Sequence, residues 1–209
     1  RISLNAFGAN QVQSIGTNVV AALTTAQIRY LDTEAIGFLS TAQIAALSTT
    51  QATNLTSTQL NALSDSQFAA IATDDLAALS TAQIAALDTE AVGFLSTAQI
   101  VALSTAQAAA LTSAQLNALS ETQIAKVTTA DLAALSTAQI SKLNGDTLSR
   151  LSTSQVQAMT SSQVSTLATD SISSLSTAQI VALSTAQAKA LTSTQLNALS
   201  DSQFAAIAT

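Results

Sequence analysis

Apolar residues recur along this chain at a fixed interval of eight. Counting from Phe7, every eighth position is apolar without a break, through Ile15, Leu23, Leu31 and Leu39 to Leu199 and Ile207. Each of these anchors is followed five residues later by a second apolar position, from Val12, Val20 and Ile28 to Phe204. This second row thins to alanine only at Ala52, Ala108 and Ala188. Between the rows the residues are small and polar, as in Leu39-Ser40-Thr41-Ala42-Gln43-Ile44-Ala45-Ala46.

That spacing excludes the long regular elements. Eight residues advance about 800° around an α-helix, so both rows would drift by about 80° per repeat and spiral over the surface. Supercoils need apolar periods near 3.5 or 3.67, and the octad matches neither. In a straight strand, positions five apart fall on opposite faces, and Ala and Gln are poor strand formers. A short helix restarted in every octad fits. Ser40 is a good N-cap, and Gln43 three residues on completes a capping box by reaching back to the Ser40 amide. Leu39 before the cap and Ile44 at the fourth helical position then form a hydrophobic staple. The cap is Ser, Thr, Asp or Asn in 21 of 26 octads, departing at Gly8, Gly16, Ala72, Ala168 and Ala208. The third helical position is Gln in 18 of 25, departing at Val19, Ala35, Asp75, Ala91, Asp131, Thr147 and Ser171.

The expected fold is therefore all-α: a solenoid of very short capped helices, one per octad, with a β-solenoid as the alternative. A helix of about six residues cannot survive alone, so stability must come from stacked neighbours. Two octads per coil is the expected geometry, because antiparallel short helices close a turn simply. Longer repeats are nested on the octad: residues 25–80 align with 81–136, so that Leu31-Asp32-Thr33-Glu34-Ala35 returns as Leu87-Asp88-Thr89-Glu90-Ala91. Residues 1–22 form divergent octads, and 23–209 read as one regular array without an internal domain boundary. A start at Arg1 and an end at Thr209 in mid-phrase suggest a stretch excised from a longer array.

Composition narrows the chemistry. Among 209 residues there is no His, Cys, Pro or Trp, and only 9% are charged. Zinc sites, thiolate nucleophiles, disulfides and Ser-His-Asp triads are thereby excluded. A net charge of −6 argues against nucleic-acid partners, including a one-base-per-repeat code. No apolar run approaches the ~20 residues of a membrane span, so no membrane insertion is expected. A mean hydropathy of +0.39 argues against disorder.

The few chemically notable residues read as structural. Asp74-Asp75, Asp32/Glu34 and Asp88/Glu90 could form a weak cation site, but caps and first-turn acids complementing the helix dipole explain them more simply. Asn144-Gly145-Asp146 reads as a turn, and Arg29-Tyr30 as surface decoration. Phe38, Phe68, Phe94 and Phe204 read as core fillers. No residue is assigned to catalysis, a cofactor or a metal, and no enzymatic activity is expected. The threonines at the first helical position (Thr25, Thr33, Thr41, Thr49, Thr73, Thr81, Thr89, Thr97 and Thr105) should face solvent as ladders of hydroxyl and methyl groups. Such flat Thr arrays make ice or ligand binding the alternative function.

The recurring Leu-Ser-Thr-Ala-Gln-Ile-Ala-Ala-Leu phrase resembles the Ser/Thr/Ala/Gln-rich repeat regions of very long bacterial secreted or surface proteins of the adhesin kind. The resemblance implies an extracellular or cell-surface location and a spacer, fibre or adhesion role. Such proteins often carry glycine-rich calcium-binding nonapeptides, and this sequence has none. The expected partner is a second copy of the chain, end to end or laterally, with other surface-matrix components beside it. Sliced repeats expose apolar surface at the ends of a solenoid, which is the reason to expect self-association.

Overall fold

The computed structural model describes residues 4–207; the cap position Ala208 and the terminal residues Arg1 and Thr209 lie outside them. Within that range the chain forms twenty-five α-helices of four to seven residues and one short 3-10 helix, Leu4–Ala6, with no strand. The all-α reading holds, and the β-solenoid does not.

Each helix forms as the octad dictates. In Thr41–Ala45 the cap Ser40 is extended at φ −70° and ψ 161°. Its Oγ accepts the Gln43 amide at 3.2 Å, while the Ser40 amide donates to Gln43 Oε1 at 2.7 Å. Two of the orphan donors at the helix start are thus satisfied within the repeat. The helical path runs on to Ala46, and the amide of the next anchor, Leu47, still donates back to Ile44 at 3.1 Å. The end of a helix is set by the next cap: the following residue turns extended and the ladder stops. Among the described residues no backbone φ is positive. The helices therefore end without the left-handed cap that would demand glycine, which accounts for a chain of this length with only five glycines.

The chain falls into two compact units, Arg1–Ala110 and Leu111–Thr209. In the first, helix Thr73–Ala77 packs on Thr97–Ala102, and Thr81–Ala85 on Thr105–Ala110. In the second, Thr129–Ala134 packs on Thr153–Ala158, and Ser161–Ser165 on Thr185–Ala190. Each helix thus lies against the third one along, and some, such as Ser57–Asn61 with Thr89–Gly93, reach the fourth. A coil holds between three and four octads, not the two expected. The physical reason lies in the link between helices. Only the anchor and the cap leave the helical region, as at Leu119 and Ser120, and two extended residues bend the path without reversing it.

Both apolar rows meet inside the coils. Ile28, Leu60, Leu76 and Ile84 in the first unit and Ile140, Leu148 and Ile172 in the second are fully buried. The anchors close the same core, with Leu39 and Leu119 at 2% and 1% exposed. Burying such side chains stabilises by about 1.5–3 kcal/mol each, which is what offsets the entropy of ordering helices too short to stand alone.

Candidate functional site

In most octads the third helical position is buried as thoroughly as the core. Gln43, Gln99 and Gln163 are each 1% exposed. A buried amide must find partners for both ends. The oxygen closes the capping box, and the nitrogen crosses to the preceding coil. Gln59 Nε2 donates to the carbonyls of Ile28 and Leu31 at 2.8 and 2.7 Å. Gln107 Nε2 donates to Leu76 and Leu79, Gln155 to Ile124 and Val127, and Gln195 to Val164 and Leu167, all within 3.0 Å. In every case the acceptors lie 31 and 28 residues back, on a second-row residue and on the next anchor. The anchor carbonyl precedes the cap and has no helical partner of its own. The glutamine of a later coil supplies one. Each amide sits over the junction of two octads beneath it, so successive coils are laid like bricks.

At several octads where the third position is not Gln, another side chain supplies a bond between coils. Asn61 Nδ2 donates to the Ala86 carbonyl at 3.1 Å and its Oδ1 accepts the Asp88 amide at 3.1 Å. The Asp88 octad carries Ala91 in place of Gln, and its cap amide is held from the coil before. Asn5 does the same for Tyr30 and Asp32, above Ala35, and Asn117 for Lys142 and Asn144, above Thr147. The lock has the same function and the opposite direction. Asn117 Oδ1 also accepts the Thr147 hydroxyl at 3.0 Å, and Arg150 Nη1 donates to the Leu119 carbonyl that a glutamine would have served. Ser171 Oγ reaches the Leu143 carbonyl directly at 2.8 Å. Asp75, which cannot donate as a carboxylate, accepts the Thr49 hydroxyl at 2.6 Å. Among the described residues every buried side-chain nitrogen and oxygen has a partner.

The residues singled out in the sequence take mostly local roles. Asp32 and Asp88 cap their helices, accepting the Ala35 and Ala91 amides at 2.8 Å. Glu34, Glu90, Asp74 and Asp75 occupy first turns, where the helix dipole favours acids. Asn144-Gly145-Asp146 is not a turn. Asn144 caps the helix Gly145–Ser149, accepting the Thr147 amide at 2.8 Å. Arg29 and Tyr30 are exposed. Of the phenylalanines only Phe68 fills the core; Phe38 and Phe94 are half-buried and Phe204 is 53% exposed. The first-position threonines named above are exposed except Thr25, which is half-buried.

Two concavities stand out, both in the first unit. An open cleft of about 380 Å³ is lined by Asn61, Asp65, Asp88, Glu90 and Phe94. Its acids do not form a metal set, and no group of three metal-ligating side chains occurs among the described residues. The second, about 490 Å³ and mostly apolar, is lined by Leu4, Phe7, Ile15, Val19, Leu23 and Gln27 among others. No helix among the described residues is long and apolar enough to cross a membrane.

The ALTTAQ repeat matches residues 12–49, 68–105 and 166–201, together more than half of the chain, and the chain belongs to that repeat family. Residues 22–27 read Ala-Leu-Thr-Thr-Ala-Gln, which in structural terms is helix end, anchor, cap, two helical positions and the glutamine that closes the capping box. No curated protein and no solved structure matches the chain.

Proposed function

We propose that the chain is a non-enzymatic structural spacer, a stretch of stacked octads belonging to a bacterial extracellular or cell-surface array. The supporting observation is where the polar side chains go. In octad after octad the cap hydroxyl closes its own helix and the buried glutamine ties one coil to the coil before it. The repeat's chemistry is directed at holding its own stack, with one residue set serving every coil alike. The location rests on the resemblance of the octad text to surface-protein repeats.

Two experiments test this reading. Antibody labelling of intact producing cells should decorate the surface, and label found only after lysis would overturn the location. Electron micrographs of the parent protein should show the octad region as an extended element, and a globular particle would overturn the spacer role.

A second reading, ice binding, draws on the exposed threonines. Thr73 and Thr97 start helices that pack on one another, as do Thr81 and Thr105. Thermal hysteresis of the purified chain decides it: a freezing-point gap would favour that reading, and none would leave the spacer.

A further inference from the structure

The open cleft of about 380 Å³ in the first unit lies where the lock between coils is incomplete. By the spacing other octads keep, a glutamine at position 91 would donate to the Leu63 carbonyl, as Gln59 does to Leu31, 28 residues back. The residue there is Ala91, and Asn61 turns its own amide to Ala86 and Asp88 instead. The carbonyl of Leu63 is left with no donor among the described residues. Leu63 itself is buried and forms part of the cleft wall. Exposed Asp65, Asp88 and Glu90 and the half-buried ring of Phe94 make up much of the rest, and no basic side chain lines it.

The chain holds the same arrangement a second time, and there it is filled. Seven octads further along, Asn61, Leu63, Asp65, Glu90 and Phe94 become Asn117, Leu119, Glu121, Asp146 and Arg150. Asn117 repeats the reversed lock, and the third position is again not glutamine but Thr147. Arg150, in the place of Phe94, donates from Nη1 to the Leu119 carbonyl at 3.3 Å. A guanidinium in the second unit thus serves the anchor carbonyl whose counterpart the first unit leaves bare. The charges divide in the same sense: residues 1–110 hold seven acids against two arginines, and 111–209 hold five acids against four basic residues.

From this pair of sites we infer that the cleft of the first unit binds a guanidinium group, the head of an arginine brought by another molecule. A guanidinium has five donors in a rigid plane, enough to serve the Leu63 carbonyl and a carboxylate together, and its face stacks on an aromatic ring such as Phe94. An ammonium is a point charge without that flat face. The group comes from an arginine within a protein segment or from the free amino acid, whose own carboxylate the three acids would repel. The site is independent of the spacer role and the location proposed above.

Saturation-transfer NMR on the whole chain with N-acetyl-L-arginine amide tests it. Binding should saturate at low salt with a dissociation constant on the order of 1 mM, as an exposed charged site allows. N-acetyl-L-lysine amide should bind at least about fivefold more weakly. Phe94→Arg, which supplies the guanidinium from within as Arg150 does, should lose the signal while keeping its helical circular dichroism. The double variant Asp65→Asn with Glu90→Gln, altered only at exposed positions, should lose it too and decides the matter if Phe94→Arg does not fold. Free L-arginine binding more weakly than the blocked compound assigns the group to a protein segment, and equal or tighter binding assigns it to the amino acid; both support the site. No saturation, equal binding of the arginine and lysine compounds, or folded variants that bind as before would overturn the inference.

Discussion

The side-chain amide of Gln107 donates to the backbone carbonyl of Leu79 at 2.8 Å, from one coil of the first unit to the coil before it. Its oxygen meanwhile holds the Ser104 amide at 2.9 Å, so a single side chain caps its own helix and fastens two coils. The same geometry recurs at Gln59, Gln155 and Gln195, and it sets the most direct test. Gln107→Ala should destabilise the chain by about 2 kcal/mol, through a cavity and an unpaired buried carbonyl. Gln107→Glu should cost about 3–5 kcal/mol near neutral pH, because it places an unpaired carboxylate against carbonyl oxygens.

That second variant carries a pH signature of known sign. A glutamate in this place is held in its neutral form, so its folded-state pKa lies above the ordinary value of about 4.3. The destabilisation is small below that value and grows as pH rises through it. Urea midpoints at acid and neutral pH should therefore diverge for Gln107→Glu but not for Gln107→Ala. Parallel behaviour of the two variants would refute the cross-coil role of the amide.

The reversed lock predicts a compensated pair. Asn61→Ala should cost on the order of 1 kcal/mol by freeing the Ala86 carbonyl and the Asp88 amide. Adding Ala91→Gln should recover most of it, since a glutamine there reaches the Asp88 amide and the Leu60 and Leu63 carbonyls by the rule the other octads follow. Ala91→Gln in the presence of Asn61 should gain nothing, as the cap amide is already held. A double-mutant cycle by chemical denaturation checks the coupling, and additive effects would rule it out.

Missing caps leave stability to be gained. Ala72 and Ala168 start their helices with extended backbones and no side-chain bond to the first turn. Both are exposed, so a hydroxyl can be added without displacing a neighbour. Ala72→Ser and Ala168→Ser should each stabilise by about 1 kcal/mol, read as a higher melting temperature.

Gly145 is constrained by a neighbour and not by its backbone angles. A methyl group on it would run into the side chain of Ser174 in the adjoining coil. Gly145→Ala should therefore destabilise by about 1–3 kcal/mol, as overpacking does. The pair Gly145→Ala with Ser174→Gly should recover part of the loss. Failure of that rescue would show that the helix start, and not the contact between coils, is what glycine serves.

How far the sequence reaches can be judged residue by residue. Everything confined to one octad was legible: Ser40 and Gln43 specify a capped helix, and Leu39 and Ile44 specify which side of it is buried. These are interactions over three to five positions, fixed by local backbone geometry, and they repeat without insertion for the whole chain. The number of octads in a coil was not legible. It depends on the bend accumulated over two extended residues at each junction, and on how Ala-lined helices settle against their neighbours. Nor could the second partner of each glutamine be read, because Leu79 and Gln107 are brought together only by that bend. The Asn61, Asp88 and Ala91 triplet was visible as letters within the longer repeat, yet its meaning lies wholly in the contact between coils. Local hydrogen bonding decided the repeat, and the closure of the coil decided what the repeat's polar groups are for.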